Sequence, residues 1–126
     1  MNYIQQAKEV IDVEIAGLQK VRDAIGPEFD KAVRLILERL SLGGKVVITG
    51  VGKNLPIGQK IASTLTSTGC TALFLHPSDA MHGDLGILDK NDILLALSYS
   101  GASEELMNLI PVVKRNGVAI IALCGE

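Results

Sequence analysis

Four short apolar runs dominate the latter part of the chain: KVVIT at 45–49, TALFL at 71–75, ILLAL at 93–97 and VAIIALC at 118–124. They are rich in Val, Ile and Leu and do not alternate with polar residues. A strand covered on one face alternates, whereas a strand covered on both faces does not. Each run is therefore read as a strand buried between two layers. Between the first two lies PIGQKIASTLTSTG, with a helical stripe of Ile57, Ile61 and Leu65, Pro56 at its start and Gly69 just past its end. After the third run, a helix from Ala102 places Leu106, Leu109, Ile110 and Val113 on one side. Pro111 inside it lacks an N–H and crowds the carbonyl of Met107, which predicts a kink. Between the second and third runs, HPSDAMHGDLGILDKND reads as a long polar loop. This order predicts an α/β fold, a three-layer α/β/α sandwich around a parallel sheet.

Two amphipathic helices are expected upstream. The first, over 3–25, carries Ile4, Ala7, Ile11, Ile15, Leu18 and Val21. GPEF at 26–29 ends it and starts the second, which shows Phe29, Val33, Ile36, Leu37 and Leu40 before SLGGK breaks the pattern. The expected organisation is 1–42 as N-terminal helices packing on a domain at 43–126. The chain stops at LCGE, directly after a strand, so that strand is either an edge or followed by more of the domain past Glu126. The domain is read as incomplete at its C-terminal end.

Composition narrows the function classes. With 126 residues and 48% apolar content, the chain suits one domain with a modest core. Twelve basic and fourteen acidic residues leave a net charge of −2, which offers no basic field for nucleic acid. Aromatics at 3% leave few platforms for stacked bases. No apolar run nears the roughly 18 residues of a membrane span, and the N-terminus lacks a signal-peptide pattern. A cytoplasmic protein without nucleic-acid or membrane partners is expected. Cys70 and Cys124 lack metal-like spacing and are read as small packed thiols.

Open α/β sheets bind ligands outside the carboxyl ends of their strands. Those ends carry TGVGKN, HPSDAMHGDLG, SYSGASEE and CGE. In SYSGASEE, Ser98, Ser100 and Ser103 offer hydroxyl donors, Gly101 permits close backbone approach, and a helix N-terminus follows. Together these suit a phosphate; the alternative is that Ser100 or Ser103 merely caps the helix. GVGKN is not a P-loop, because Val47 and Asn54 stand where Gly and Ser or Thr are needed. Nor is it a dinucleotide fingerprint, whose third glycine would fall at Leu55. Lys53 could meet a phosphate or a developing oxyanion, or remain a solvated loop lysine. His82, in MHGDLG, is an acid–base candidate or a structural hydrogen-bonder. His76, directly before Pro77, is read as structural. Asp84 orients His82 or its own loop. Glu104 and Glu105 suit a helix N-terminus electrostatically, and Glu105 is also near enough to the serine loop to act as a base.

GVGKN with IGQKIASTLTSTG, HPSDAMHGDLG and SYSGASEELMNLIPVVKR resemble sugar isomerase (SIS) domains, from about Lys45 to Glu126. SYSGASEE fits the general SIS signature. HPSDAMHGDLG is more specific and resembles the D-arabinose 5-phosphate isomerase branch. The resemblance implies a five-stranded, flavodoxin-like or Rossmann-like parallel sheet in a homo-oligomer, a dimer or tetramer. It implies that Ser98, Ser100 and Ser103 hold a sugar phosphate, with Gly52, Asn54 and Gly101 beside them. Lys53, His82 and Glu105 match the family's active-site lysine, histidine and glutamate. The implied reaction interconverts D-ribulose 5-phosphate and D-arabinose 5-phosphate through an enediolate. It needs no metal or organic cofactor, because the carbonyl acidifies its neighbouring carbon. A pair of CBS domains often follows such a domain; none lies within these residues.

Two departures stand out. Asn54, Leu55 and Pro56 replace a motif resembling Ser-Gly-His, and the family's fifth strand with a further glutamate and histidine would lie beyond Glu126. Both leave open a phosphosugar-sensing module without catalysis. A third possibility, an isomerase of another phosphosugar, is opposed by the HGDLG loop.

Overall fold

The computed structural model describes residues 1–125. The chain divides into two compact units, Met1–Val33 and Arg34 onwards. In the first unit, helix α1 (Tyr3–Ala24) starts on Asn2, whose side chain accepts the Gln5 N–H at 3.2 Å. Helix α2 (Pro27–Ser41) begins there with Pro27 at its first position and Glu28 and Asp30 in its first turn, where acidic groups complement the helix dipole. Its C-terminal half belongs to the second unit.

The second unit contains strands β1 (Val46–Gly50), β2 (Ala72–Phe74), β3 (Ile93–Ser98) and β4 (Ala119–Cys124), with helices α3 (Asn54–Ser67), α4 (Pro77–Met81) and α5 (Glu104–Arg115). The sheet is parallel throughout, in the order β2-β1-β3-β4. Successive residues of β1 face opposite layers. Val47 packs with Leu94, Ala80, Leu106, Leu109 and Val113 beneath α4 and α5. Val46 and Ile48 pack with Ala62 and Leu97 beneath α3, with Ile36 and Leu40 of α2 against them. Burial on both faces is why β1 and β3 read as unbroken apolar runs. β4 is covered less, and its last three residues are exposed.

An ion pair ties the entrances to the two central strands. Lys45 precedes β1 and Asp92 precedes β3; their side chains meet at 2.5 Å, with Asp92 only 2% exposed. Asp92 also accepts the backbone N–H groups of Lys45 at 3.0 Å and Asp89 at 2.7 Å. Burial alone would raise the Asp92 pKa, but the Lys45 ammonium and these two N–H groups outweigh it and hold the carboxyl below its ordinary value.

Three local expectations change. α3 begins at Asn54, ahead of Pro56, which still falls in the first turn where no N–H partner is required. α5 begins at Glu104 rather than Ala102 and runs through Pro111 to Arg115. The stretch expected to be a loop contains α4 and a 3₁₀ turn at Asp84–Ile87. α4 forms because His76 caps it, Pro77 is pre-set for its first position, and Ala80 is buried against α5. Five residues are too few for a helical period to show in sequence.

Candidate functional site

The chain leaves β1 towards β2 on one side and later places β3 on the other. The crevice outside the carboxyl ends of β1 and β3 is therefore the sheet's switch point, where such folds bind ligands. The GVGKN turn and the serine loop meet there. Gly50, the last residue of β1, pairs with Leu97 of β3. A Cβ on Gly50 would lie 2.8 Å from the Asn54 Cβ and 3.2 Å from the Leu97 carbonyl oxygen. Glycine is what lets the start of α3 close down on the sheet. Lys53 occupies the N-cap position of α3, makes no side-chain cap bond and is exposed.

In the serine loop, Ser98 is buried at the end of β3, and its Oγ accepts the Gly101 N–H at 2.9 Å. The Ser100 Oγ accepts the Ala102 N–H at 3.2 Å. A hydroxyl that accepts in this way keeps its own proton to donate. Both bonds thus shape the loop and leave O–H donors for an anion. Gly101 carries φ +68°, a left-handed conformation that side chains disfavour. Ser103 is the N-cap residue of α5, yet its hydroxyl makes no cap bond. Its position is that of a cap, but the N–H groups of the first turn stay open to a ligand.

Two cavities adjoin this edge. One, of about 600 Å³, lies between α4 and α5 and is lined by His76, Ser78, Met81, His82, Glu105 and Asn108. The structure thus brings His82 and Glu105 together: α4 ends at His82, and Glu105 stands in the first turn of α5. The other cavity, of about 260 Å³, gathers Asn54, Ile57, Ser98, Tyr99 and Cys124. Asn54 and Ser98 therefore share a wall. Lys53 lines neither cavity.

Asn108, Ser78 and Met81 escaped the sequence reading. Asn108 was accessible to it, because it stands one turn beyond Glu105 and so shares its helix face. Ser78 and Met81 depended on recognising α4. Cys124 is exposed beside the serine loop rather than packed; among the described residues none covers β4 at that end. Cys70 is half-buried.

Residues 40–126 match the SIS domain model. The chain belongs to the SIS domain family. It is 44% identical over 125 residues to arabinose 5-phosphate isomerase KdsD of Francisella tularensis, covering 99% of this chain and 38% of that protein. With the KdsD of Pseudomonas aeruginosa it shares 40% identity over 126 residues, 100% of this chain and 38% of that protein. A solved Escherichia coli CFT073 protein in complex with arabinose 5-phosphate superposes with a TM-score of 0.90 at 32% identity, covering 100% of this chain and 67% of that one. The SIS chain described here thus spans 38% of the length of these curated relatives. Its four parallel strands follow the SIS arrangement, and no described helix is long and apolar enough to cross a membrane.

Proposed function

We propose that this chain is the phosphosugar-handling part of an aldose–ketose isomerase that interconverts D-ribulose 5-phosphate and D-arabinose 5-phosphate. The observation that carries this reading is the cavity shared by His82 and Glu105, opening directly after the serine loop. The names of the curated relatives, and the arabinose 5-phosphate held by a relative at 32% identity, support the substrate.

In the reaction, Ser98, Ser100, Ser103 and the first turn of α5 hold the phosphate, with Gly52, Asn54 and Gly101 shaping the approach. A base, Glu105 or His82, takes a proton from C1 of the ketose, and the carbonyl at C2 becomes an enediolate oxygen. The other group returns a proton to C2. The C1 hydroxyl gives up its proton as the new carbonyl forms, and the C2 oxygen gains one. Lys53 stabilises the enediolate charge. Because Lys53 lies outside the His82–Glu105 cavity, this role requires its flexible side chain to reach the bound sugar.

Homo-oligomeric assembly in the cytoplasm completes the proposal. α1 leaves Ile4, Ile11 and Leu18 exposed at 72, 58 and 69%, apolar surface suited to a second copy. Sedimentation of the native protein tests this; a monomer at all concentrations would refute it.

The chemical test is proton NMR of ribulose 5-phosphate with the chain in heavy water. Arabinose 5-phosphate should appear with deuterium beside the carbonyl. Glu105→Gln should retain phosphosugar binding and lose turnover, whereas full activity in that variant removes Glu105 from the mechanism. Phosphosugar binding without exchange or product would instead mark a sensing module.

A further inference from the structure

We propose that His76 is a substrate-binding residue, and that the same hydrogen bond which makes it a helix cap sets it up for that task. The Nδ1 atom of His76 accepts the Ser78 N–H at 3.1 Å. A neutral imidazole has one N–H and one bare nitrogen, and the bond made by one nitrogen decides which is which. Nδ1 is the acceptor, so the proton sits on Nε2. The ring is therefore held as an Nε2–H donor.

That ring lines the cavity of His82 and Glu105 and is half-buried. It also borders a neighbouring hollow of about 520 Å³ formed with Leu55, Gln59 and Asp79. His76 thus stands on the ridge between the cavity and α3. Ser78 and Asn108 also carry donors on this wall, and His76 adds an imidazole N–H to them. Glu105 as a carboxylate only accepts hydrogen bonds, and Lys53 does not line the cavity. A sugar oxygen that gains negative charge needs a donor there. An uncharged imidazole N–H supplies one without competing for the transferred proton.

The cap also couples His76 to His82. The two histidines bound α4 at its N-cap and C-cap positions. Ala80 and Pro77, both buried, seat the helix between them. A bare capping effect and a donor effect are therefore mixed in any large truncation at this position, and two substitutions are needed to separate them.

His76→Asn keeps an acceptor at the Nδ1 position and suits an N-cap, but has nothing at Nε2. His76→Gln keeps an amide N–H near Nε2 and caps poorly. This inference rests on the proposed function, so the wild-type chain is assayed first, for arabinose 5-phosphate binding by calorimetry and for turnover. Nitrogen-15 correlation spectra of the histidines at about pH 8, where ordinary imidazoles are neutral, then report the tautomer independently of activity. The expected results are an Nε2–H signal for His76 that shifts on adding arabinose 5-phosphate, and a His76→Asn variant with wild-type melting temperature and roughly tenfold or greater loss in affinity for that sugar or in kcat/KM. His76→Gln should melt lower yet recover part of that loss. A wild-type chain that binds and turns over arabinose 5-phosphate while His76→Asn matches it overturns the inference alone, as does an Nδ1–H tautomer. A wild-type chain with neither binding nor turnover overturns the proposed function and this inference with it.

Discussion

Replacing Asp92 by Asn should destabilise the domain by about 3 kcal/mol. The carboxylate is 2% exposed and its two oxygens receive three N–H donors: the Lys45 backbone at 3.0 Å, the Asp89 backbone at 2.7 Å and the Lys45 ammonium at 2.5 Å. An amide offers one oxygen. If that oxygen keeps the Lys45 backbone N–H, the amide nitrogen confronts the other two donors. Removing one partner of a buried ion pair costs about 3–5 kcal/mol. The low end applies, because Lys45 is 22% exposed and its ammonium also donates to the Ile87 carbonyl at 2.6 Å.

Urea unfolding at neutral pH measures this directly. With a slope of about 2 kcal/mol per molar, the midpoint should fall by about 1.5 M. The pH dependence gives a second check. The Asp92 pKa is lowered in the fold, so its contribution is complete above the unfolded carboxylate value of about 3.9 and is lost as pH falls through the lower folded value. The gap between wild type and variant should be flat from about pH 5 to 8 and close in acid. A gap below about 0.5 kcal/mol at neutral pH, the range of ordinary surface substitutions, would show that the ion pair does not fasten the strand entrances.

Other expectations concern the ligand edge. Ser98→Ala removes the acceptor of the Gly101 N–H and a phosphate donor together, so inorganic phosphate should bind about tenfold or more weakly; unchanged phosphate inhibition would exclude Ser98 from the anion site. Gly50→Ala should cost about 1–3 kcal/mol in thermal unfolding, since its Cβ would press on the Asn54 Cβ and the backbone oxygen of Leu97. An unchanged melting curve would mean that α3 can retreat freely. Cys124 should react with a thiol reagent faster than Cys70, and a bound phosphosugar should protect it, because it shares a cavity with Ser98 and Asn54. Equal rates with and without sugar would place the phosphate elsewhere.

The layers of the fold were legible because two-sided burial writes itself as continuous Val/Ile/Leu runs. Val46 to Thr49 and Ile93 to Leu97 could be read directly, and a parallel sheet then followed from placing helices on both faces. What escaped was α4. Its determinants are a histidine cap, Pro77 and one buried alanine, each of which also occurs in loops. Missing it hid Ser78 and Met81, while the structural reading of His76 holds in its role as the cap of α4. The proposed pair, His82 and Glu105, was legible by residue type, but its meeting in one cavity depends on Ala80 packing against Leu106 and Leu109, a tertiary contact with no sequence period. Cys124 was misread because strand edges usually bury small thiols, whereas β4 loses its cover before that residue.

A pentose phosphate held at this edge would meet two differently built supports. The serine loop runs between buried anchors, Leu97 at the end of β3 and Leu106 in the first turn of α5. Ser98 and Glu105 are therefore carried by one continuous β3–loop–α5 segment with both ends in the core. The proposed phosphate anchor and base share a frame, so holding the phosphate would fix the sugar chain relative to Glu105. His76 and His82 arrive from a different element, the five-residue α4, seated on the same frame chiefly through Ala80 and Pro77. The short helix behaves as an insert that brings two imidazoles to a carboxylate already in register with the phosphate loop. Differences between phosphosugars lie in hydroxyl geometry along the chain rather than in the phosphate. On the proposed function, substrate choice within this arrangement belongs to α4, and phosphate affinity to the serine loop.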